Sequence, residues 1–352
     1  MKKILMTGIS GFLGNALASL FILNNIKISA LIKEDIDSER IIKNISLGMY
    51  KDVLMENKIR DSIDFIKYEN FYDFDQLSRL LDGQEFDEVW HLAAHMSYDP
   101  AELVESVTVN SVGSTTLMKA VKECKRFYFI STTGVAGIGS KNTEPLKVPE
   151  ALLSYFEPTN PYTVSKVLAE YMLFEQSVKM NMPVTIIRPG SIIGSSKTGW
   201  VNSTKYGYYS YLYMLKKFKN KNIDFYLNIN EHRKFPVIHI NHLVELCIHL
   251  QNRKHAEDRE IFHAINQNLM TAKEHFEIFQ EKCGYPLKIK YGMGELGFNR
   301  TFNKMNQDNN HFLGVNCIYE NNKLAEAIGA GSLPPALTEE SIATVMSNYL
   351  SR

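Results

Sequence analysis

Short apolar runs alternate with helical patterns from residue 3 to residue 190, and that alternation constrains the fold more than any other feature. The runs are "KILMTG" (3–8), "KISALIK" (27–33), "SIDFIKY" (62–68), "EVWHLAA" (88–94), "RFYFIST" (126–132) and "PVTIIRPG" (183–190). Helical patterns lie between them over 15–25, 38–45, 74–81, 105–123 and 161–179. Strands that are apolar on both faces and separated by helices require a parallel sheet covered on both sides. The expected class is α/β: a Rossmann-type doubly wound parallel sheet that binds ligands at the carboxyl ends of its strands. After residue 190 the alternation weakens, and 195–220 is rich in Tyr, Ser and Lys. The stretches 235–250 and 261–266 return to the earlier style, with Asn241 placed as an N-cap, and Gly284 closes a helix over 272–284. The sheet domain is therefore expected over 1–190 with 235–266. A smaller, interleaved substrate-binding region takes 191–234 and 267–352.

Composition removes several function classes. Lys plus Arg equals Asp plus Glu at 39 each, so no global basic field draws in nucleic acid or an anionic membrane. Cys124, Cys247, Cys283 and Cys317 are scattered without a C-x-x-C, which argues against a disulfide framework and a zinc site and fits a reducing cytosol. The start "MKKILMTGISGFLG" is basic and partly apolar, but its glycines interrupt the run and no small-residue cleavage site follows. No apolar run approaches the ~20 residues that cross a bilayer. A soluble, cytoplasmic protein is expected. His239 and His242 have no acids or cysteines at ligand spacing, so no metal is expected.

Four stretches carry chemistry. In "TGISGFLG" (7–14) Gly8, Gly11 and Gly14 follow the first strand and open a helix. Glycine there permits a tight turn and close approach of a pyrophosphate, which the helix N-terminus attracts. Thr7, Ser10, Phe12 and Leu13 complete that expected cofactor turn. At the end of the second strand, Lys33 and then Arg40 favour a ribose 2′-phosphate, hence NADPH over NADH, although Glu34 and Asp35 follow directly. "FISTTGVAG" (129–137) brings Ser131, Thr132 and Thr133 to the end of the fifth strand. Their hydroxyls either hold a substrate carbonyl or satisfy the turning backbone. "PYTVSK" (161–166) puts Tyr162 and Lys166 on one helix face. They are either an exposed pair or an acid and the cation that lowers its pKa and binds nicotinamide ribose hydroxyls.

In this order the motifs resemble the extended branch of the short-chain dehydrogenase/reductase superfamily, from residue 3 to about residue 250. "HLAA" (91–94), "NSVGS" (110–114), "STTGV" (131–135), "YTVSK" (162–166) and "RPGSIIG" (188–194) stand where that superfamily has its landmarks. The resemblance implies Thr132, Tyr162 and Lys166 as catalytic residues, with Asn110 as a fourth member through a kinked helix and a water. It implies further cofactor contacts from Leu92, Ala93, Ala94, Pro189, Gly190, Ser191 and Ile192. A narrower resemblance is to the thioester reductase and fatty acyl-CoA reductase (male-sterility-type) group. Its R-P-G-x-I-x-G-x-S-x-T-G-x-x-N pattern is matched by Arg188, Pro189, Gly190, Gly194, Ser196, Thr198, Gly199 and Asn202. "LIK" replaces that group's L-V-R, and "ENFYD" (69–73) replaces G-D-x-x-D, which puts Asn70 and Phe71 at the adenine.

This group implies NADPH-dependent reduction of an acyl thioester, on coenzyme A or a carrier protein, to an aldehyde, or with a second hydride to an alcohol. The chain is expected to act as a free-standing enzyme that meets an acyl or peptidyl carrier protein in trans. Substrate contacts are expected from Ser131, Thr133, Thr198, Trp200, Asn202 and Tyr206. The tyrosines at 206, 208, 209, 211 and 213 line an acyl or aryl pocket or serve packing. "KKFKNK" (216–221) is a carrier-facing patch or a solvated helix face. The rival enzymes are a nucleotide-sugar epimerase or dehydratase and a ketone reductase. The rival of another class is a non-catalytic, cofactor-binding regulatory protein.

Overall fold

The computed structural model describes residues 2–140, 144–157, 159–202, 207–217, 224–282, 284, 288–292 and 315–351. Its strands, in chain order, are β1 (Lys3–Thr7), β2 (Lys27–Lys33), β3 (Ile63–Tyr68), β4 (Glu88–His91), β5 (Arg126–Ile130), β6 (Leu146–Val148), β7 (Val184–Pro189), β8 (Ser191–Ile193), β9 (Asp224–Leu227), β10 (Val237–His239), β11 (Arg259–Ala264), β12 (Lys288–Tyr291) and β13 (Cys317–Tyr319). Seven of them form one parallel sheet in the order β11-β7-β5-β4-β1-β2-β3. Strand order reverses between β1 and β4, where Thr7 pairs with His91. β4 and β7 are buried along their whole length, so they show no alternation of buried and exposed residues, and their polar residues Glu88, His91, Thr185 and Arg188 are buried too.

Two helices flank the carboxyl end of the sheet. One runs from Leu103–Val107 through a π-helical turn, Thr108–Val112, into Gly113–Val121. The expected helix over 105–123 is therefore present but widened by a π-helical turn that contains Asn110. The other is Pro161–Met180, fixed at its start by a capping box. Asn160 Oδ1 accepts from the Thr163 N–H at 2.9 Å, and Thr163 Oγ1 accepts from the Asn160 N–H at 3.3 Å. Proline occupies the first helical position, where its missing N–H costs nothing. Asn241 is not the N-cap that its position suggests. The helix Ile240–Asn252 begins after His239, and Asn241 Oδ1 instead accepts from the Ser196 N–H at 2.9 Å.

A second apolar core lies beside the sheet. It joins Tyr208, Tyr209, Leu212, Phe225, Phe276, Phe279, Ile342 and Met346 from three helices and the β9–β12 pair. The short parallel pair β8–β10 connects it to the sheet domain, while the pair β6–β13 carries Val148 and Tyr319 of a separate, smaller apolar cluster. Leu324, from the helix Asn322–Ile328, belongs to the main core.

Candidate active site

The site lies where strand order reverses. Gly8 has φ +73°, and a Cβ there would sit 2.6 Å from the Ala93 nitrogen. A Cβ at Gly14 would sit 2.0 Å from the Gly8 carbonyl oxygen. Only bare backbone lets the first helix (Phe12–Leu23) start this close to β1 and β4. Gly11 caps that helix without a side-chain bond, so its first N–H groups point outward with the positive end of the dipole. The cradle fits a dinucleotide pyrophosphate.

A cavity of about 320 Å³ opens from this cradle. One end is formed by Gly8, Gly11, Phe12, Leu13 and Gly14, with Leu92 and Ala94 after β4 and Pro189, Gly190, Ser191 and Ile192 after β7. The middle holds Ile130–Gly134, Tyr162 and Lys166. The rest of the lining comprises Met96, Tyr98, Gly207, Tyr208, Tyr209, Pro236, Val315 and Tyr319, with the Pro236 carbonyl accepting from the Ser191 N–H at 2.7 Å. Tyr162 is buried, and its N–H donates to the Ser97 carbonyl at 3.2 Å. Lys166 is also buried; its Nζ donates to the Ile130 carbonyl at 2.7 Å and lies 4.3 Å from the Phe129 ring centre and 5.9 Å from the Tyr162 ring centre.

Burial pushes the Tyr162 phenol up and the Lys166 ammonium down to about 7, the latter partly opposed by Glu170. Sequence reasoning expects the lysine to lower the tyrosine. Here burial acts the other way on the tyrosine and raises it, so the phenol keeps its proton. Thr132 caps the turn Thr133–Ala136, its Oγ1 accepting from the Gly134 N–H at 3.1 Å.

Several expected contacts fall elsewhere. Ser131 borders the cavity, but its hydroxyl donates to Glu170 Oε1 at 2.6 Å. Glu170 in turn holds the fully buried Arg188 through Nε at 2.9 Å and Nη2 at 2.5 Å. Arg188 Nη2 also donates to the Ala151 carbonyl at 3.0 Å, so the ion pair is fixed to the loop after β6. Thr133 borders the cavity, with its carbonyl accepting from the Tyr319 hydroxyl at 3.4 Å. Asn110 does not face the cavity. Its Oδ1 accepts from the His95 N–H at 2.6 Å, and its Nδ2 donates to the His95 carbonyl and to Ser165 Oγ, each at 2.8 Å. Its amide is spent holding a loop to the Tyr162 helix.

Thr7 is buried; its Oγ1 accepts from the N–H groups of Leu92 at 3.2 Å and Ala93 at 3.1 Å. Ser10 is exposed outside the turn, and Ala93 does not line the cavity. Lys33 and Arg40 are exposed, at the end of β2 and on the helix Ser38–Ser46. Asn70 Oδ1 closes a local turn by accepting from the Tyr72 N–H at 3.1 Å. Phe71 is buried against His91, with ring centres 5.3 Å apart.

Thr198, Trp200 and Asn202 stay off the cavity, and the last two buttress the first helix. Asn202 Nδ2 donates to Asn15 Oδ1 at 2.9 Å, and the Trp200 ring lies 5.4 Å from that of Phe12. The Thr198 carbonyl accepts from Asn348 Nδ2 at 3.1 Å. Gly199 turns this loop with φ +67°, leaving no room for a Cβ against Thr344 and Asn348. Tyr206 lies outside the described residues, as does most of the basic patch 216–221. Of the other tyrosines Tyr208 and Tyr209 reach the cavity and Tyr213 is exposed. His239 Nδ1–H donates to the Gly194 carbonyl at 2.7 Å. The sequence reading missed Met96, Tyr98, Val315 and Tyr319, which no motif marks. It also missed Glu170, whose four-residue spacing from Lys166 was legible.

A switch-point cradle with a buried Tyr–Lys pair at its centre defines an extended short-chain dehydrogenase/reductase, a class of NAD(P)-dependent enzymes. Residues 6–247 match the model of the NAD-binding family described as "Male sterility protein", and the chain belongs to that family. A curated relative is dTDP-D-glucose 4,6-dehydratase of Dictyostelium discoideum, 29% identical over 55% of this chain and 44% of its own length. Another is the non-canonical nonribosomal peptide synthetase cpsA of Aspergillus campestris, 26% identical over 58% of this chain and 20% of its own length. The chain thus spans less than half the length of these relatives. Among solved structures, the terminal R domain from the myxalamid PKS-NRPS biosynthetic pathway matches with TM-score 0.77 at 20% identity, covering 100% of this chain and 91% of that one. At that identity the likeness concerns the fold.

Proposed function

We propose that this protein reduces an acyl thioester, carried by coenzyme A or a carrier protein, to an aldehyde at the expense of NADPH. The observation that carries the reading is the apolar, aromatic part of the cavity wall. Met96, Tyr98, Tyr208, Tyr209, Pro236, Val315 and Tyr319 offer an apolar, aromatic surface. Among the described lining residues Lys166 is the one strong cation, and it lies in the middle. That wall suits an acyl chain better than a sugar diphosphate, which calls for charged partners. The match of 188–202 to the thioester reductase pattern, and the likeness to an R domain, point the same way.

The dinucleotide, when bound, supplies a hydride to the thioester carbonyl carbon. Tyr162 then donates its proton to the carbonyl oxygen, with Thr132 hydrogen-bonding that oxygen as charge develops. Lys166 lets the phenol give up its proton by compensating the phenolate. The resulting hemithioacetal loses its thiol and leaves the aldehyde. Buried, protonated Tyr162 holds the proton this step consumes. Lys33, exposed at the end of β2, gives the preference for the 2′-phosphate. Lys33→Ala is expected to weaken NADPH about tenfold, the value of one charge-assisted contact, and NADH little. Fluorescence titration with both cofactors checks this, and equal loss for the two removes the preference.

The test is a panel of acyl-CoA and acyl-carrier thioesters incubated with NADPH, with products read by mass spectrometry. Aldehyde or alcohol, free thiol and matching NADPH consumption are expected. The 29% identity to a sugar dehydratase favours a second reading, nucleotide-sugar epimerisation or dehydration. Conversion of a nucleotide sugar without net NADPH loss, and inertness to every thioester, would establish that reading instead.

A further inference from the structure

His91 ends β4 beneath the site and is fully buried, ringed by Phe71, Phe127 and Phe129 at 5.3, 6.0 and 5.5 Å between ring centres. No water-sized alternative partner is needed, because both ring nitrogens are bonded. Nδ1 lies 2.6 Å from Thr7 Oγ1, and Nε2 lies 2.8 Å from Ser114 Oγ. The direction of each bond follows from counting protons. Thr7 Oγ1 already accepts two backbone N–H groups, from Leu92 and Ala93, so its own proton goes to His91 Nδ1. Ser114 Oγ donates to the Asn110 carbonyl at 2.5 Å, so it accepts from His91 Nε2–H. The ring is therefore neutral and carries its proton on Nε2. An imidazolium would leave the Thr7 hydroxyl with no acceptor. Burial, with Lys166 nearby, also holds His91 well below its ordinary range.

The two ends of this chain of bonds lie in different parts of the site. Thr7 anchors the glycine turn, since the bonds it accepts bring β4 against Gly8. Asn110 lies in the π-helical turn, and its side chain ties the 95–97 loop to Ser165. Ser165 Oγ–H donates to the Tyr162 carbonyl at 2.8 Å, and the Tyr162 N–H donates to Ser97. We infer that His91 is a positioning residue that sets the pyrophosphate turn through Nδ1 and the Tyr162 helix through Nε2, in one fixed tautomer. The inference rests on the dinucleotide reading of the cradle but not on the identity of the acyl substrate.

Two substitutions separate the halves. In His91→Asn the Oδ1 stands near the Nδ1 position and still accepts from Thr7, but nothing donates to Ser114. In His91→Gln the Nε2 amide stands near the imidazole Nε2 and still donates to Ser114, but Thr7 loses its acceptor. His91→Asn should keep the NADPH dissociation constant near wild type and lower kcat about tenfold, the scale of one buried bond. His91→Gln should raise the dissociation constant about tenfold and leave kcat at saturating NADPH near wild type. Ser114→Ala and Thr7→Val should reproduce the two patterns with a smaller change of packing.

Amide hydrogen exchange reads the same split without substrate or cofactor. Exchange should rise in 95–112 and 160–166 for His91→Asn and in 7–14 for His91→Gln. Because this arm needs no turnover, it decides the relay even if the thioester reading falls. Variants that lower thermal stability yet shift both parameters together, or neither, and that loosen both segments alike, would overturn the inference.

Discussion

Burial raises the pKa of the Tyr162 phenol and lowers that of the Lys166 ammonium at the centre of the cavity, and that sets their use. Burial keeps Tyr162 protonated, so the phenol is a loaded acid rather than a ready base. Tyr162→Phe is expected to bind NADPH normally and to lose about 10²–10⁴-fold in turnover, the usual worth of a placed general acid. Undiminished turnover in that variant would remove the acid role. Lys166 has its pKa lowered from 10.5 to about 7 by burial. Below pH 7 the ammonium is charged in both folded and unfolded chains. Above it the folded protein releases a proton that the unfolded chain keeps until its own pKa. The unfolded state then binds more protons, so this group makes stability rise with pH from about 7 toward 10.5. The slope is at most about 1.4 kcal/mol per pH unit. Lys166→Met should flatten the wild-type curve over that window, as urea unfolding at a series of pH values will read. Parallel curves would show that the lysine titrates normally.

At the scale of elements, the Tyr162 helix is fastened to the sheet by one ion pair with no solvent around it. Glu170, one turn beyond Lys166, joins Arg188 of β7, Ser131 at the end of β5 and, through Arg188, the loop after β6. Removing one member leaves a buried charge without its partner. Glu170→Gln should therefore cost about 3–5 kcal/mol, seen as a lower urea midpoint at unchanged m. A loss below 1 kcal/mol would mean that water replaces the carboxylate.

The elements themselves were unevenly legible. β4 and β7 announce themselves through apolar cores without polar alternation, Val89–Trp90 and Ile186–Ile187, although Glu88, His91, Thr185 and Arg188 are buried beside them. The Tyr162 helix does so through its Asn–Pro start. The π-helical turn at "TVNSV" (108–112) has no local pattern of its own, and the kink at Asn110 was expected only through the family resemblance. The pairs β6–β13 and β8–β10 are three residues long and join segments far apart in sequence, so no local pattern records them. The candidate site divides the same way. Glycine spacing and the Tyr–Lys pair are local signals, and both sit in the cavity. Thr198, Trp200 and Asn202 fit a motif's spacing, but spacing does not say which surface a loop turns toward. Here it turns toward the first helix.

Taken as a whole, the cavity draws its lining from Gly8 to Tyr319, so a ligand that fills it touches both cores. NADPH should accordingly stabilise the entire fold and not the sheet domain alone. At a hundred times its dissociation constant it should add about 2.7 kcal/mol, raising a single cooperative melting transition. Two transitions, of which only one moves, would show that the cores unfold independently.

The β13 strand places Tyr319 against Thr133, so the last wall of the crevice comes from a stretch translated long after the glycine turn. Leu324, a few residues further on, completes the main core as well, so the same late stretch finishes both the crevice and the packing that supports the glycine turn.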